Sequence, residues 1–298
     1  MSTAIKASHS PYYAKAKRFI LNLSCRDRRG IVAGVSSAIN LGAGNISESA
    51  QFGDTRSGLF FMRVAFDVPI DASFEELRAL MRPVTEEFEM TWTLHDAARR
   101  SQLILMVSRF DHCLQDLLFR WKIGVLPVDI AAVVSNHEDA RATVEGHGLP
   151  FHHWPVTPDT KEQAEKKLLS LVKEVGADLV VLARYMQVLS DALSRELFGR
   201  AINIHHSFLP AFKGAKPYHQ AFERGVKLIG ATAHYVTADL DEGPIIAQAT
   251  EHATHADGPN DLVVIGRDIE ARVLARAVAL HVERRVFLNG SRTVVFDR

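Results

Sequence analysis

The sequence predicts an α/β protein of two domains, an N-terminal βαββαβ module and a larger domain built on a mostly parallel sheet. Three observations predict it. The first ninety-odd residues alternate strand-like and amphipathic helical patterns in the order strand, helix, strand, strand, helix, strand. Past the polar stretch DAARRSQ (Asp96–Gln102), the apolar runs become near-continuous and are separated by helical stretches, as in parallel strands covered on both faces. A length of 298 residues suits two domains. The expected boundaries are 1–95 for the first domain, 96–102 for the linker and 103–298 for the second.

Phe19–Leu23 is the first strand, and CRDRRG (Cys25–Gly30) is the polar loop after it. Ile31, Val35 and Ile39, four apart, mark one face of a helix. Asn45–Phe52 is the second strand and Gly53-Asp54 a turn. Phe60, Met62, Val64 and Phe66 alternate along Leu59–Phe66, the pattern of a strand buried on one face. Leu77, Leu80, Met81, Val84 and Phe88 line a second helix, and Thr91–His95 closes the module. In the second domain Leu103–Val107, Ile130–Val134, Leu179–Ala183 and Ala201–Ile204 are short strands rich in β-branched residues. Lys161–Val175 is helical, with Ala164, Leu168, Leu171, Val172 and Val175 on one side and Gly176 as its C-terminal cap. Arg267–Arg284 is helical in pattern, and Asn289-Gly290 between two apolar runs marks a hairpin.

Composition narrows the function. Thirty-five basic and thirty-five acidic side chains cancel, which argues against a surface built for nucleic acid or an anionic membrane. Two cysteines, Cys25 and Cys113, are too few for a disulfide framework, and neither sits in a CxxC; two reduced thiols in a cytoplasmic protein are expected. Met1–Lys17 is polar, without the apolar core of a secretory signal, and the longest apolar runs are of strand length.

The densest cluster of polar residues among apolar ones is Ala201–Gln248. Asn203 and His205, two apart at the end of an apolar strand, share one face. Ligands of open α/β sheets bind outside the carboxyl ends of strands, where the carboxylate of Asp241, past the next strand, can join them. An amide that donates to a developing oxyanion, an imidazole that moves a proton near neutral pH and a carboxylate that orients a water or sustains the charged ring suit attack on a carbonyl. With fourteen histidines in the chain, a structural role for His205 is the competing reading at this point. His234, in the strand before Asp241, fits the core and the site equally. His206 points away from His205 if the strand continues. Lys213-Gly214 reads as a turn, and the pairs His152-His153 and His252/His255 are weak indications of zinc.

NIHHSFLPAFKG (Asn203–Gly214) followed by HYVTADLDEGPIIAQ (His234–Gln248) closely resembles the folate-dependent formyltransferase family. The resemblance spans roughly Ser101 to Gln248 and includes VVSNHEDA (Val133–Ala140). It implies a Rossmann-like fold for the second domain and puts Asn203, His205 and Asp241 at the family's three catalytic positions. LARYMQVLS (Leu182–Ser190) resembles the segment lining the pterin pocket. The folate site is thereby expected on Met186, Gln187, Val188, Leu189, Val236 and Asp239. Family members that formylate glycinamide ribonucleotide carry a glycine-rich loop after the first strand, where glycine lets the backbone approach a phosphate. Here VSRFDHCLQDLL (Val107–Leu118) has no glycine, so a phosphate would meet Arg109, Phe110 and His112. The tRNA-formylating members carry a nucleic-acid-binding domain that the fifty residues after Gln248 do not accommodate. Water is then the simplest acceptor. The activity implied is hydrolysis of 10-formyltetrahydrofolate to tetrahydrofolate and formate, in one-carbon metabolism and formate supply for purine synthesis. The alternatives are formyl transfer to a small amine such as glycinamide ribonucleotide, and a non-catalytic amino-acid sensor. The substrate is the only folate required, and neither a tightly bound cofactor nor a metal is expected, because hydrogen bonds suffice to activate the formamide.

The N-terminal stretch CRDRRGIVAGVSSAINLGAGNISESAQ (Cys25–Gln51) resembles an ACT domain, a βαββαβ ferredoxin-like module that binds amino acids and pairs with itself. The resemblance implies a homo-oligomer and an amino-acid effector, glycine or methionine, in the loop after the first strand. Asp27, Gly30 and Asn45 are the expected contacts, with Asp27 as a simple helix cap and Gly30 as a helix opener the competing reading. Arg29 stands where many such loops carry proline.

Overall fold

A computed structural model describes residues 16–209 and 217–297. Lys213-Gly214 lies outside the described residues. The chain divides into two compact units, one running to Arg99 and the other from Arg100 to Val295.

The first unit contains β1 (Ala16–Arg26), α1 (Ile31–Leu41), β2 (Asn45–Asp54), β3 (Leu59–Pro69), α2 (Phe74–Glu87) and β4 (Thr91–Asp96). The strands form one antiparallel sheet in the order β2-β3-β1-β4. Phe19, Leu21 and Leu23 of β1 and Phe60, Met62, Val64 and Phe66 of β3 face Ile31, Val35 and Ile39 of α1 and Leu77, Met81 and Val84 of α2. Each such fully buried apolar side chain contributes about 1.5–3 kcal/mol. Ser73 opens α2 with a reciprocal capping box: its hydroxyl accepts from Glu76 N at 3.1 Å, and its own N–H donates to Glu76 Oε2 at 3.2 Å.

Two local expectations change. Gly53 and Asp54 belong to β2, paired with Phe60 and Leu59, and the turn lies beyond them at 55–58. Asp54 accepts from Arg56 N and from the Ser57 hydroxyl, so the aspartate that read as part of the turn organises it from the strand end. In β3 the alternate residues Phe61, Arg63 and Ala65 are also buried, so this strand is covered on both faces rather than one. Arg63 tolerates burial through an ion pair with Glu48 at 3.0 Å.

The second unit contains β5 (Ser101–Val107), α3 (His112–Lys122), β6 (Val128–Ser135), α4 (Arg141–Gly146), β7 (Phe151–His153), α5 (Lys161–Glu174), β8 (Leu179–Leu182), α6 (Asp191–Glu196) and β9 (Ala201–His205). It continues with α7 (Pro217–Glu223), β10 (Leu228–Tyr235), β11 (Ile245–His252), α8 (Pro259–Val282), β12 (Val286–Asn289) and β13 (Arg292–Val295). Seven strands form a sheet in the order β11-β10-β9-β8-β5-β6-β7. The pairings among β5, β6, β7, β8 and β9 are parallel, but β10 is antiparallel to both β9 and β11, so the sheet is mixed. Alternate residues of β5 divide between the faces. Leu103, Leu105 and Val107 join a core with α3 and α8, whereas Ile104 and Met106 join one with α5 and α6. β12 and β13 form the hairpin expected around Asn289-Gly290. Among the described residues, no helix is long and apolar enough to cross a membrane.

Candidate active site

The site starts at the carboxyl end of β9. Asn203 and His205 sit two apart on this strand and both line a cleft of about 230 Å³. The strand ends at His205, which frees His206 from strand alternation; it lines the same cleft. Thr232 of β10 fixes the chain's exit. Its hydroxyl donates to Ser207 O at 3.0 Å and accepts from Leu209 N at 3.1 Å and Gln248 Nε2 at 2.9 Å.

Asp241 arrives by a route the sequence does not indicate. Because β10 is antiparallel to β9, its end at Tyr235 lies opposite Ile202, and residues 236–244 return past the cleft before β11 begins. Tyr235 N donates to Pro244 O, closing this loop. At Gly243 a Cβ would overlap Tyr235 O, so only glycine allows the two arms to approach this closely. Asp241 itself adopts a left-handed backbone, φ 57°, which aspartate tolerates better than most residues.

The resulting geometry sets the protons. Asp241 Oδ2 lies 3.2 Å from His205 Nδ1, so Nδ1 carries the hydrogen and Nε2 carries the lone pair in the neutral ring. Nε2 is buried and has no hydrogen-bond partner among the described residues. His234 Nδ1 lies 2.9 Å from Tyr235 O, a pure acceptor, so that nitrogen donates. The other ring nitrogen of His234 then accepts from Asn203 Nδ2 at 3.4 Å, which turns the amide N–H₂ of Asn203 toward the site. His234 Nε2 also stands 3.7 Å from Asp241 Oδ1. Burial opposes the charge on Asp241, but the hydrogen bond from His205, with the His234 ring close by, outweighs it and holds the carboxyl well below the usual range. His206 is pushed down to about 4 by burial, reinforced by the nearby Arg184 and His205 charges, and is a neutral ring at pH 7.

One wall of the cleft is apolar and open. Met186, Val188 and Leu240 line it and stay exposed, as hydrophobic side chains do where a flat apolar ligand docks. Gln187, Leu189, Val236 and Asp239 complete the expected set, all on the cleft. Ser108 steadies the segment carrying Met186: its hydroxyl accepts from Met186 N at 2.9 Å and donates to Asn136 Oδ1 at 2.7 Å. Sequence reasoning missed Arg184 and left His206 and His234 undecided. The signal for His234 was its place in the strand before Asp241, and for His206 the end of the strand one residue earlier.

Other candidates separate from this cluster. His153 Nδ1 lies 2.6 Å from Glu138, and His152 packs on Trp154. Phe110 stacks under Arg267 at 5.1 Å, and His112 Nε2 lies 2.8 Å from Glu270, so neither stands free for a phosphate. His112, Cys113 and Glu270 present donor atoms within 4.8 Å of one another, the one such trio among the described residues. A cation is poorly suited there. Glu270 already accepts from Tyr218 and His112 and is ion-paired with Arg184, and burial, with the Glu270 charge, pushes the Cys113 thiol up, away from the thiolate a metal needs. In the first unit the N-cap position of α1 is held by Gly30 and not by Asp27, which stands three residues earlier. Asp27 instead lies against Gly53, where a Cβ would come 2.7 Å from its Oδ2. Asn45 is a correction. It opens β2, while Asp27 lies against Gly53 near the strand's other end, so about eight steps of strand at about 3.4 Å each keep it from sharing a ligand with Asp27 and Gly30.

The unit whose sheet gathers an amide, an imidazole and a carboxylate at one strand end is a formyl transferase domain: residues 101–278 match the family of that description. A formyltetrahydrofolate deformylase of Corynebacterium sp. (strain P-1) is 52% identical over 280 residues, covering 93% of this chain and 98% of the relative. The crystal structure of a formyltetrahydrofolate deformylase from Burkholderia mallei superposes with a TM-score of 0.90 at 53% identity, covering 94% of this chain and all of that one. The chain belongs to the formyltetrahydrofolate deformylase family. A glycinamide ribonucleotide transformylase from Symbiobacterium toebii is more distant, with 32% identity, a TM-score of 0.60 and coverage of 66% of this chain and 95% of its own.

Proposed function

We propose that the cleft hydrolyses 10-formyltetrahydrofolate to tetrahydrofolate and formate, with Asn203, His205 and Asp241 as catalytic residues. The observation that carries this reading is the division of labour on His205: Nδ1 is committed to Asp241, and Nε2 has no partner among the described residues. A water at Nε2 loses its proton to the ring as its oxygen attacks the formyl carbon. Asp241 stabilises the imidazolium that forms. The carbonyl oxygen becomes an oxyanion facing the Asn203 amide, one of whose hydrogens is already held by His234. The imidazolium then returns its proton to N10, the C–N bond breaks, and formic acid leaves as formate. The pterin lies against Met186, Val188 and Leu240, with Gln187, Leu189, Val236 and Asp239 around it.

Transfer to glycinamide ribonucleotide is the enzyme alternative, because that activity is named for the more distant relative. The loop after β5 speaks against it here. It has no glycine, and its Phe110 and His112 are engaged by Arg267 and Glu270. Purified protein is expected to release formate from 10-formyltetrahydrofolate with no amine present, at a rate that added glycinamide ribonucleotide does not change. Formyl nucleotide accumulating as fast as formate would make the protein a transferase, and no turnover at all would favour the sensor.

The first unit is read as an ACT-type module that pairs copies of the chain and binds glycine or methionine at Asp27 and Gly30. Support comes from its βαββαβ order and from Gly30, the N-cap of α1, whose left-handed backbone at φ 98° lets the chain turn closely at the start of the helix. Calorimetry of the full chain with each amino acid, with and without a folate analogue, is expected to show binding whose affinity the folate alters, a coupling of about 1–3 kcal/mol. No heat with either amino acid would leave the unit as an assembly module alone.

A further inference from the structure

Behind the catalytic cluster lies a second polar assembly that the reaction scheme does not use. Its hub is Glu270 of α8, whose side chain is 1% exposed. Glu270 Oε1 accepts from the Tyr218 hydroxyl at 2.6 Å, and Oε2 meets His112 Nε2 at 2.8 Å and Arg184 Nε at 3.2 Å. A carboxylate this deep is tolerated only when paired and hydrogen-bonded. Hydrogen bonds from His112 and Tyr218 and the Arg184 charge outweigh the burial that opposes its ionisation, and keep it below the usual carboxylate range.

The assembly is built toward the catalytic histidine. Gly266, one turn before Glu270, has no room for a Cβ because the Tyr218 ring occupies that position. Gly266 and Glu270, four apart on one helix face, thus make a slot for this tyrosine. The Tyr218 ring packs on His206 with centroids 6.5 Å apart, and His206 packs on His205 at 5.1 Å with the planes tilted by 30°. Arg184 reaches Glu270 from a left-handed backbone, φ 65°, a conformation that costs energy for an arginine and persists only where its surroundings hold it. It also lines the cleft. Three segments of the chain, α3, the loop after β8 and α7, are therefore tied to one carboxylate of α8.

We propose that Glu270 is a positioning residue for the hydrolysis: by holding Tyr218 and Arg184 beside His206, it fixes the ring against which His205 is set. The proposal rests on the hydrolytic reading of the cleft. Two consequences follow. His205 keeps one orientation as its charge changes, with Nδ1 on Asp241. The Arg184 guanidinium also stays neutralised by Glu270, so it does not oppose the imidazolium that His205 must become. The charged and titratable groups facing the two histidines are Asp241 and His234 from β10 and the loop after it, Arg184, Glu270 and, through Glu270, Tyr218 and His112.

Glu270→Gln preserves shape and removes the charge. It is expected to lower kcat by about 10–100-fold with KM for the folate nearly unchanged, as for loss of hydrogen bonds to a charged group. Arg184 is then left unbalanced beside His206, so the ring that sets His205 loses its fixed place and the loss falls on kcat rather than KM. Tyr218→Phe keeps the ring on His206 and loses one hydrogen bond, and should lower kcat about 3–10-fold per folded enzyme, with folded enzyme counted by folate-analogue binding. A folded Glu270→Gln with wild-type kcat, or with the loss in KM instead of kcat, overturns the proposal, since a merely structural role lowers the melting temperature without a fall in kcat at unchanged KM. If Glu270→Gln does not fold, Tyr218→Phe decides, and wild-type kcat in it overturns the proposal. Formate release by the unaltered protein is measured alongside. Its absence would overturn the hydrolytic reading itself, whereas its presence with indifferent variants overturns only the role of Glu270.

Discussion

Asp241→Asn is expected to reduce kcat by about 10²–10⁴-fold while KM for the folate changes little, the range seen when the partner of a catalytic base loses its charge. The backbone should survive, because asparagine accepts the left-handed conformation that Asp241 adopts at φ 57°. What fails is proton placement. The carboxylate 3.2 Å from His205 Nδ1 accepts only, and so leaves Nε2 as the base. An asparagine amide offers both a donor and an acceptor, admits the opposite tautomer, and supplies no counter-charge to the imidazolium. The same residue carries a pH signature. Burial works against its ionisation, but the hydrogen bond from His205, with the His234 ring close by, prevails and its folded pKa is depressed. A depressed carboxylate stabilises the fold above its unfolded pKa, near 4, and loses that contribution as pH falls toward the folded value. The difference in melting temperature between wild type and Asp241→Asn should therefore be largest near neutrality and shrink below about pH 4. A changed KM with unchanged kcat would make Asp241 a binding residue instead.

Much of this was readable from residues because spacing and chemistry agreed. Asn203 and His205 are two apart in an apolar strand, so period-two alternation alone puts them on one side, and both do line the cleft. The alternating helices and strands of the second unit gave its layers, since apolar runs bounded by amphipathic helices have one economical arrangement. Strand direction was not readable. Nothing in Leu228–Tyr235 distinguishes a parallel from an antiparallel neighbour, and β10 reverses the sheet. The return of Asp241 thus depends on a loop whose closure rests on Gly243 and Tyr235 O, a contact no local pattern announces. Glu270 was hidden for a different reason. In Arg267–Arg284 it reads as one more charge on a helix, and its burial becomes evident only when α3, α7 and Arg184 are brought to it from elsewhere in the chain. Asn45 lies away from the Gly30 loop because α1 carries the chain to the far end of the sheet before β2 begins, a displacement the strand pattern alone does not show.

Asn203→Ala should cost about 10²–10³-fold in kcat, the effect of removing one donor to a tetrahedral oxyanion. The carbonyl oxygen gains most of its charge in the transition state, so the loss belongs in kcat, and binding of a non-reacting folate analogue should persist on the apolar wall of Met186, Val188 and Leu240. A second effect accompanies it. His234 Nε2 loses the amide at 3.4 Å and is left facing Asp241 Oδ1 at 3.7 Å, which favours a proton on that nitrogen and a contact that competes with His205 for the carboxylate. The two substitutions therefore act on one connected unit. Asn203→Ala combined with Asp241→Asn should fall short of the product of the single effects, because either change alone already spoils the charge distribution the other group stabilises. Fully multiplicative losses would mean that the amide and the carboxylate act independently, and wild-type kcat in Asn203→Ala would remove the amide from the reaction.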